Sequence, residues 1–154
     1  MTRPADQPRT SEGPRPRDTF PRSRRLKRQR LIRALFDRRR RDVHVVRAGD
    51  LAVRYRVAAP EEVGSDRPLQ VGFATGRHLR SKPDRNRIKR VMREAFRVHQ
   101  HALVDLFTDR PGTLTLMVLY RGRPAEASVA VPRDLPDLLA QIERALRPPE
   151  TRSP

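Results

Sequence analysis

The sequence predicts an α+β domain with the element order αβββαβα, in which helices pack on a small mixed sheet. Three observations lead to this fold class. Residues 82–107 have the periodicity of one long amphipathic helix, and residues 69–75 and 113–120 on either side of it have the composition of strands. If those two strands are parallel, the long helix is the crossover of a βαβ unit. At 154 residues the chain is the size of one domain with tails.

The first element is a predicted helix over residues 24–41. Cations at residues 38–41 then lie near its C-terminus, where they complement the helix dipole. A brief strand at residues 43–46 follows. The helix presents a narrow apolar stripe formed by Leu26, Leu31, Ile32, Leu35 and Phe36.

The next two strands are predicted at residues 51–58 and 69–75, with a loop at residues 60–68 between them. In the first of these strands apolar and other residues alternate, which is typical of a strand with one buried face. Arg54 and Arg56 fall on the other face, which is therefore predicted to be exposed and basic.

The long helix over residues 82–107 has a predicted N-cap at Ser81, with Pro83 and Asp84 in the first turn. One side is apolar at helical spacing from Ile88 to Phe107, and the other side is basic. Glu94 is the only carboxylate between residues 85 and 97. A face with so little acid to balance its cations is predicted to bind a polyanion.

The apolar, β-branched segment at residues 113–120 predicts a buried central strand. A last helix is predicted to begin near Pro132 and Asp134. Its apolar residues are Leu135, Leu138, Leu139, Ile142 and Leu146. The domain is thus expected at residues 24–147, with a disordered Arg- and Pro-rich tail at residues 1–23 and a second tail at residues 148–154.

The net charge of +17 points to nucleic acid or to an anionic membrane surface. Residues 1–48 carry a net charge of +11 and residues 77–97 carry +7, so the entire excess lies in two stretches. Nearly all of the cations are arginine, which suits phosphate and base recognition but equally fits a GC-rich genome. The tail either adds loose contacts to RNA or is an idle extension.

Catalytic chemistry finds little support in the residues. The sequence has no cysteine, no glycine-rich phosphate loop and no paired-carboxylate pattern, and its four histidines do not have ligand spacing. We therefore expect no catalytic residue and no metal site. No apolar run approaches the length of a bilayer span, so no membrane partner and a cytoplasmic location are expected. From composition alone, a general basic RNA-binding or ribosomal structural protein is an alternative, and a protein-only nuclease is a weak one.

The basic helix resembles the RNR signature helix of bacterial ribonuclease P protein subunits, through the segment at residues 85–97. Residues 69–73 are similar to the family's preceding strand, and residues 118–125 are similar to its last strand and Arg-Pro-Ala exit. Residues 25–27 with Phe36 extend the match upstream. Where the family has two lysines, this chain has Arg77 and His78. Further departures from the family pattern stand at Ile32, Arg80, Pro83 and Asp84.

The resemblance implies the αβββαβα fold, of the kind found in the second domain of ribosomal protein S5. It also implies a protein subunit of ribonuclease P that binds the catalytic RNA subunit and aids removal of the 5′ leader from precursor tRNA. Mg²⁺ would be bound mainly by the RNA, and the protein would be a monomer within the holoenzyme. Contacts to the RNA subunit would come from Arg77, Arg85, Asn86, Arg87, Lys89, Arg90, Arg93 and Arg97. The leader would lie between the first helix and the sheet, against Arg28, Ile32, Phe36, Arg54, Tyr55 and Arg56.

Overall fold

The computed structural model describes residues 24–64 and 67–148, and they form helices on both faces of a four-stranded sheet. The predicted tails lie outside the described residues, apart from Pro148. A single 3₁₀ turn, Pro124–Glu126, precedes the last helix. The elements are α1 Gln29–Leu35, β1 His44–Ala48, β2 Leu51–Ala58, α2 Pro60–Val63, β3 Leu69–Thr75, α3 Lys82–His99, α4 His101–Thr108, β4 Thr113–Tyr120 and α5 Ala127–Leu146.

The sheet has the strand order β1-β2-β4-β3. The β1/β2 and β2/β4 pairs are antiparallel, whereas β3 and β4 are parallel with Thr75 opposite Tyr120. All eight residues of β4 are buried, as expected for a strand covered on both faces. The predicted α+β class, the parallel βαβ unit and the buried central strand are confirmed.

Two apolar clusters cover the two faces of the sheet. The larger one joins the sheet to α3, α4 and α5, and it includes Ile88, Met92 and Phe96 with no exposed surface. The smaller one lies under α1, where Leu31 and Leu35 pack toward the sheet. The face of β2 that was predicted to be open to solvent is therefore partly covered by α1.

The first helix is shorter than the predicted span of residues 24–41. Before it, the amide of Leu26 donates to the carbonyl of Val71 at 3.0 Å, so the chain runs beside β3 as an extended arm. After it, the amide of Arg39 donates to the Asp37 carboxylate at 3.0 Å and forms a turn. The prediction that Arg38 and its neighbours lie on the helix is wrong, since this side-chain acceptor favours the turn.

The long helix begins as predicted, because Ser81 Oγ accepts the amide of Asp84 at 3.3 Å. The continuous helix predicted to residue 107 is wrong, since α3 and α4 are separated at Gln100. The buried Gln100 side chain donates to the carbonyl of Arg97 at 3.4 Å. In a continuous helix that oxygen would accept the amide of His101.

The last helix begins earlier than predicted, at Ala127, and contains Pro132 and Pro136. Ala127 and Val131 have no exposed surface and extend the apolar stripe by two further positions. An internal proline costs about 3 kcal/mol in helix propensity, but each large apolar side chain buried on this face contributes about 1.5–3 kcal/mol. Burial of the stripe against α3 therefore outweighs the two prolines.

Candidate nucleic-acid interface

The basic face of α3 points away from the core, as the helical spacing predicts. Asn86 and Arg90 are exposed, while Lys89 and Arg93 are half-buried along the side toward β3. Arg97 is paired with Glu94 on the preceding turn. Exposed cations held on a rigid helix can contact successive phosphates of an RNA backbone.

Arg85 and Arg87 of α3 both donate hydrogen bonds to backbone carbonyls of the chain itself. Arg85 Nη1 donates to the carbonyls of Leu79 at 3.2 Å and Arg80 at 2.7 Å. Arg87 Nη2 donates to the carbonyl of Pro124 at 2.6 Å. Both arginines are half-buried.

A small basic groove of about 250 Å³ lies between the extended arm, β3 and α3, and we call it the arm groove. Arg25 and Lys27 come from the arm, and Lys89 and Arg93 from α3; the described lining includes no carboxylate. Burial lowers the pKa of Arg93, and the charges of Arg25 and Arg90 lower it further. This crowding of like charges favours binding of an anion.

A larger cleft of about 700 Å³ lies between the C-terminus of α1 and the sheet. We call it the leader cleft only because the family resemblance implies leader contacts between the first helix and the sheet. No acidic residue is among its described lining residues. The cations around it come from four separate segments of the chain, so only the fold assembles them. They are Arg38, Arg54, Arg77 and Arg121, with His78 beside them.

One side of the leader cleft carries an aromatic ring with a cation above it. Phe36 is 39% exposed, and the guanidinium carbon of Arg54 lies 5.3 Å from its ring centroid. Burial lowers the pKa of Arg54, and the neighbouring charges of Arg47, Arg121 and Arg38 add to this effect. An exposed ring among uncompensated cations provides stacking for a base and charge for its phosphate.

The other residues predicted to contact the leader are not brought together with Phe36 and Arg54. Arg28 lies at the opposite end of α1, where it donates to the carbonyl of Glu62 at 3.4 Å. Ile32 is half-buried in the smaller apolar cluster. Tyr55 is 4% exposed on the opposite face of the sheet. These side chains do not line the cleft.

Arg56 is 2% exposed, so the predicted solvent-facing position of this side chain is wrong. Its Nη2 donates to both carboxylate oxygens of Glu62, at 2.8 and 2.9 Å, and its Nε donates to Asp42 at 3.0 Å. The hydrogen bond from Arg40 holds the pKa of Asp42 well below its ordinary value. Arg56 lowers this pKa further, and together the two arginines outweigh the opposite effect of burial. This ion-pair cluster connects the segment after α1 to β2 and α2.

Sequence reasoning missed Arg47 and Arg121 as companions of Arg54, and it placed Arg77 with the α3 face instead of the leader cleft. The pairing register explains the arrangement. Arg47 lies opposite Ala52 on β2, and Leu51 lies opposite Tyr120, which brings the ends of β1, β2 and β4 together. In the sequence, Arg47 and Arg121 are marked only by their places directly after predicted strands. Those places point to the cleft once the pairing register is known.

Within the described residues, no group of three or more His, Asp or Glu side chains is arranged to hold a metal ion. No helix of residues 24–64 and 67–148 is both long enough and apolar enough to cross a membrane.

Comparison with known proteins shows to which family the chain belongs. A family model described as Ribonuclease P matches residues 20–142, which is most of the chain. The chain belongs to the ribonuclease P protein family. It is 32% identical over 114 residues to the ribonuclease P protein component of Chlorobaculum tepidum, covering 70% of this chain and 73% of that one. Proteins of this family are RNA-binding parts of an endoribonuclease that processes tRNA, with the ribonuclease P RNA as partner, and this decides against the ribosomal alternative.

Solved structures of ribonuclease P proteins have the same fold. The Staphylococcus aureus ribonuclease P protein superposes with a TM-score of 0.51 at 19% identity, covering 77% of this chain and 94% of that one. A second structure of the Staphylococcus aureus protein gives a TM-score of 0.52 at 15% identity, covering 87% of this chain and 99% of that one. At such identities the likeness concerns the fold alone.

Proposed function

We propose that this chain is the non-catalytic protein subunit of ribonuclease P. In this proposal it binds the catalytic RNA subunit through α3 and the arm groove, and it holds the 5′ leader of precursor tRNA in the leader cleft. One copy acts within each holoenzyme, in the cytoplasm. The observation that carries the proposal is the presence of two cationic surfaces with no lining residue in common.

The surface of α3 is proposed for the RNA subunit because its cations are fixed on a long, well-anchored helix. Asn86 and Arg90 project from it, and Lys89 and Arg93 continue the charge into the arm groove. Contacts of this kind follow the shape and backbone of a folded RNA without reading its sequence. A large structured RNA is therefore a suitable partner for this face.

The leader cleft is proposed for a single strand because it combines a stacking ring with dispersed charge. Phe36 offers a half-exposed face to a base, and Arg54, Arg77 and Arg121 surround the path of the backbone. Binding of this type is tolerant of sequence, since every base has a face that can stack. Leaders of different sequence would thus be accepted.

Mg²⁺ is proposed to be held mainly by the RNA subunit. Phosphate oxygens of RNA are the hard ligands that this ion prefers, and within the described residues no group of three or more acidic or His side chains is gathered around one point. The protein's own contribution is to bind the two RNAs and to supply cations that lower the repulsion between their backbones.

The proposal is tested by cleavage of precursor tRNA at low Mg²⁺ concentration, with the RNA subunit alone and with the protein added. We expect the protein to raise both the cleavage rate and the affinity for a precursor that carries a leader. Equal cleavage with and without the protein would overturn the proposal. RNA-free protein alone, expected to be inactive, is the control that excludes a contaminating nuclease.

A further inference from the structure

Two loops leave the sheet at the ends of the parallel strands β3 and β4, and both contribute cations to the leader cleft. Arg77 and His78 lie in the loop after β3, and Arg121 lies in the loop after β4. The two strands end side by side, since Thr75 is paired with Tyr120. The positions of these loops therefore determine where Arg77 and Arg121 lie in the cleft.

The loop after β3 is held at both ends. The amide of Gly76 donates to the carbonyl of Tyr120 at 3.1 Å, which ties the start of the loop to β4. At its far end, Arg85 reaches back from α3 to the carbonyls of Leu79 and Arg80. Leu79 itself is buried in the larger apolar cluster.

The loop after β4 is held in a similar way. The hydroxyl of Tyr120 donates to the carbonyl of Arg123 at 2.8 Å, and Arg87 donates to the adjacent carbonyl of Pro124 at 2.6 Å. The path is tight at Gly122, where an added Cβ would lie 2.5 Å from the Tyr120 hydroxyl oxygen. The loop thus packs closely on Tyr120, and Arg87 adds a hydrogen bond that ties its far end to α3.

We propose that Arg85 and Arg87 are positioning residues for the leader cleft, and that they act through the two loops rather than through contacts to the RNA subunit. This inference rests on the proposed function, because it takes the leader as the ligand of the cleft. A guanidinium hydrogen bond to a carbonyl is charge-assisted and directional, so it can fix a loop more firmly than a neutral bond. Arg90, exposed on the same helix, has no such role in the structure and is the matched comparison.

The test uses the reconstituted holoenzyme and two precursor tRNAs, one with a long leader and one with a single-nucleotide leader. The ratio of their dissociation constants is the leader preference. For Arg87→Met, which removes both charge and donors, we expect the leader preference to fall about tenfold, the loss of one charge-assisted hydrogen bond. The affinity of the protein for the RNA subunit, and the dependence of that affinity on salt, should stay as in the wild type.

Arg87→Gln removes the charge, and its amide ends two bonds short of the Nη2 that reaches the Pro124 carbonyl, so this hydrogen bond is lost as well. We expect it to lower the leader preference as Arg87→Met does, with the salt slope unchanged. Arg90→Gln should instead leave the leader preference unchanged and lower the salt slope of RNA-subunit binding by about one.

The opposite pattern would overturn the inference: both Arg87 variants lowering the salt slope as Arg90→Gln does, with the leader preference intact. If circular dichroism finds Arg87→Met unfolded, Arg87→Gln and Arg85→Gln decide the question by the same two readouts. A wild-type holoenzyme without any leader preference would overturn the proposed function itself, and this is seen before the variants are compared.

Discussion

Individual arginines in this chain have different roles that the sequence does not distinguish. Arg56 is buried against two carboxylates, Arg85 and Arg87 hold backbone carbonyls, and Arg54 lies over an aromatic ring. The alternation of residues in β2 correctly placed Arg56 on the face away from the larger apolar cluster. It could not show that α1 partly covers this face. Only tertiary packing decides which guanidinium groups are available to a ligand.

Stacking on the Phe36 ring gives a first prediction. Phe36→Ala removes the stacking face of the leader cleft, so the affinity of the holoenzyme for a leader-bearing precursor should fall by about 1–3 kcal/mol. The side chain is 39% exposed, and its removal should change the free energy of unfolding by about 1 kcal/mol or less. Filter binding and urea denaturation measure the two quantities. An unchanged affinity for the precursor would show that no base stacks on this ring.

The ion pairs of Asp42 give a second prediction, because the pKa of this carboxyl is lowered in the folded chain. The unfolded state therefore binds more protons as the solution is acidified, and stability that is present above about pH 4 is lost as the pH falls toward the folded pKa. Asp42→Asn should be less stable than the wild type near neutral pH and should lose less stability on acidification. Urea denaturation across this pH range measures both effects.

Asp137→Asn, at an exposed position on α5, is the control and should follow the wild type. Parallel stability curves for Asp42→Asn and the wild type would contradict the role given to the ion pairs with Arg40 and Arg56.

At the scale of the elements, patterns that depend on one segment alone were predictive. The facing of α3, its cap at Ser81 and the burial of β4 follow from local spacing and residue type. Two boundaries did not, because each depends on packing elsewhere. Helix α5 contains two prolines since its apolar stripe is buried on α3, and the break at Gln100 reflects a buried side-chain amide.

The facing of α3 gives a third prediction. Ile88 has no exposed surface, whereas Val98 on the same helix is 48% exposed. Ile88→Ala should lower the free energy of unfolding by about 2–5 kcal/mol, through lost burial and the cavity that remains. Val98→Ala, the matched control, should change it by about 0.5 kcal/mol or less. Similar losses for both variants in urea denaturation would contradict this facing of the helix.

In the described part of the molecule, cations from both charge-rich stretches of the sequence meet at each of two surfaces. The sequence located the excess in residues 1–48 and 77–97. The fold then brings part of each stretch to each surface. Arg25 from the first stretch joins Lys89 in the arm groove, and Arg77 from the second joins Arg38 in the leader cleft. The combination of cations from both stretches at each surface could not be predicted from the order of charges along the chain, because it depends on the sheet topology.

The most direct test of two surfaces with two RNA partners is site-specific crosslinking in the assembled holoenzyme. Because the sequence contains no cysteine, a single introduced cysteine carries a photo-crosslinker at one known place. His78→Cys places it in the leader cleft, and Asn86→Cys places it on α3. We predict crosslinks from position 78 to leader nucleotides of the precursor and from position 86 to the RNA subunit. Crosslinks from both positions to the same RNA, or with the two partners exchanged, would contradict the account.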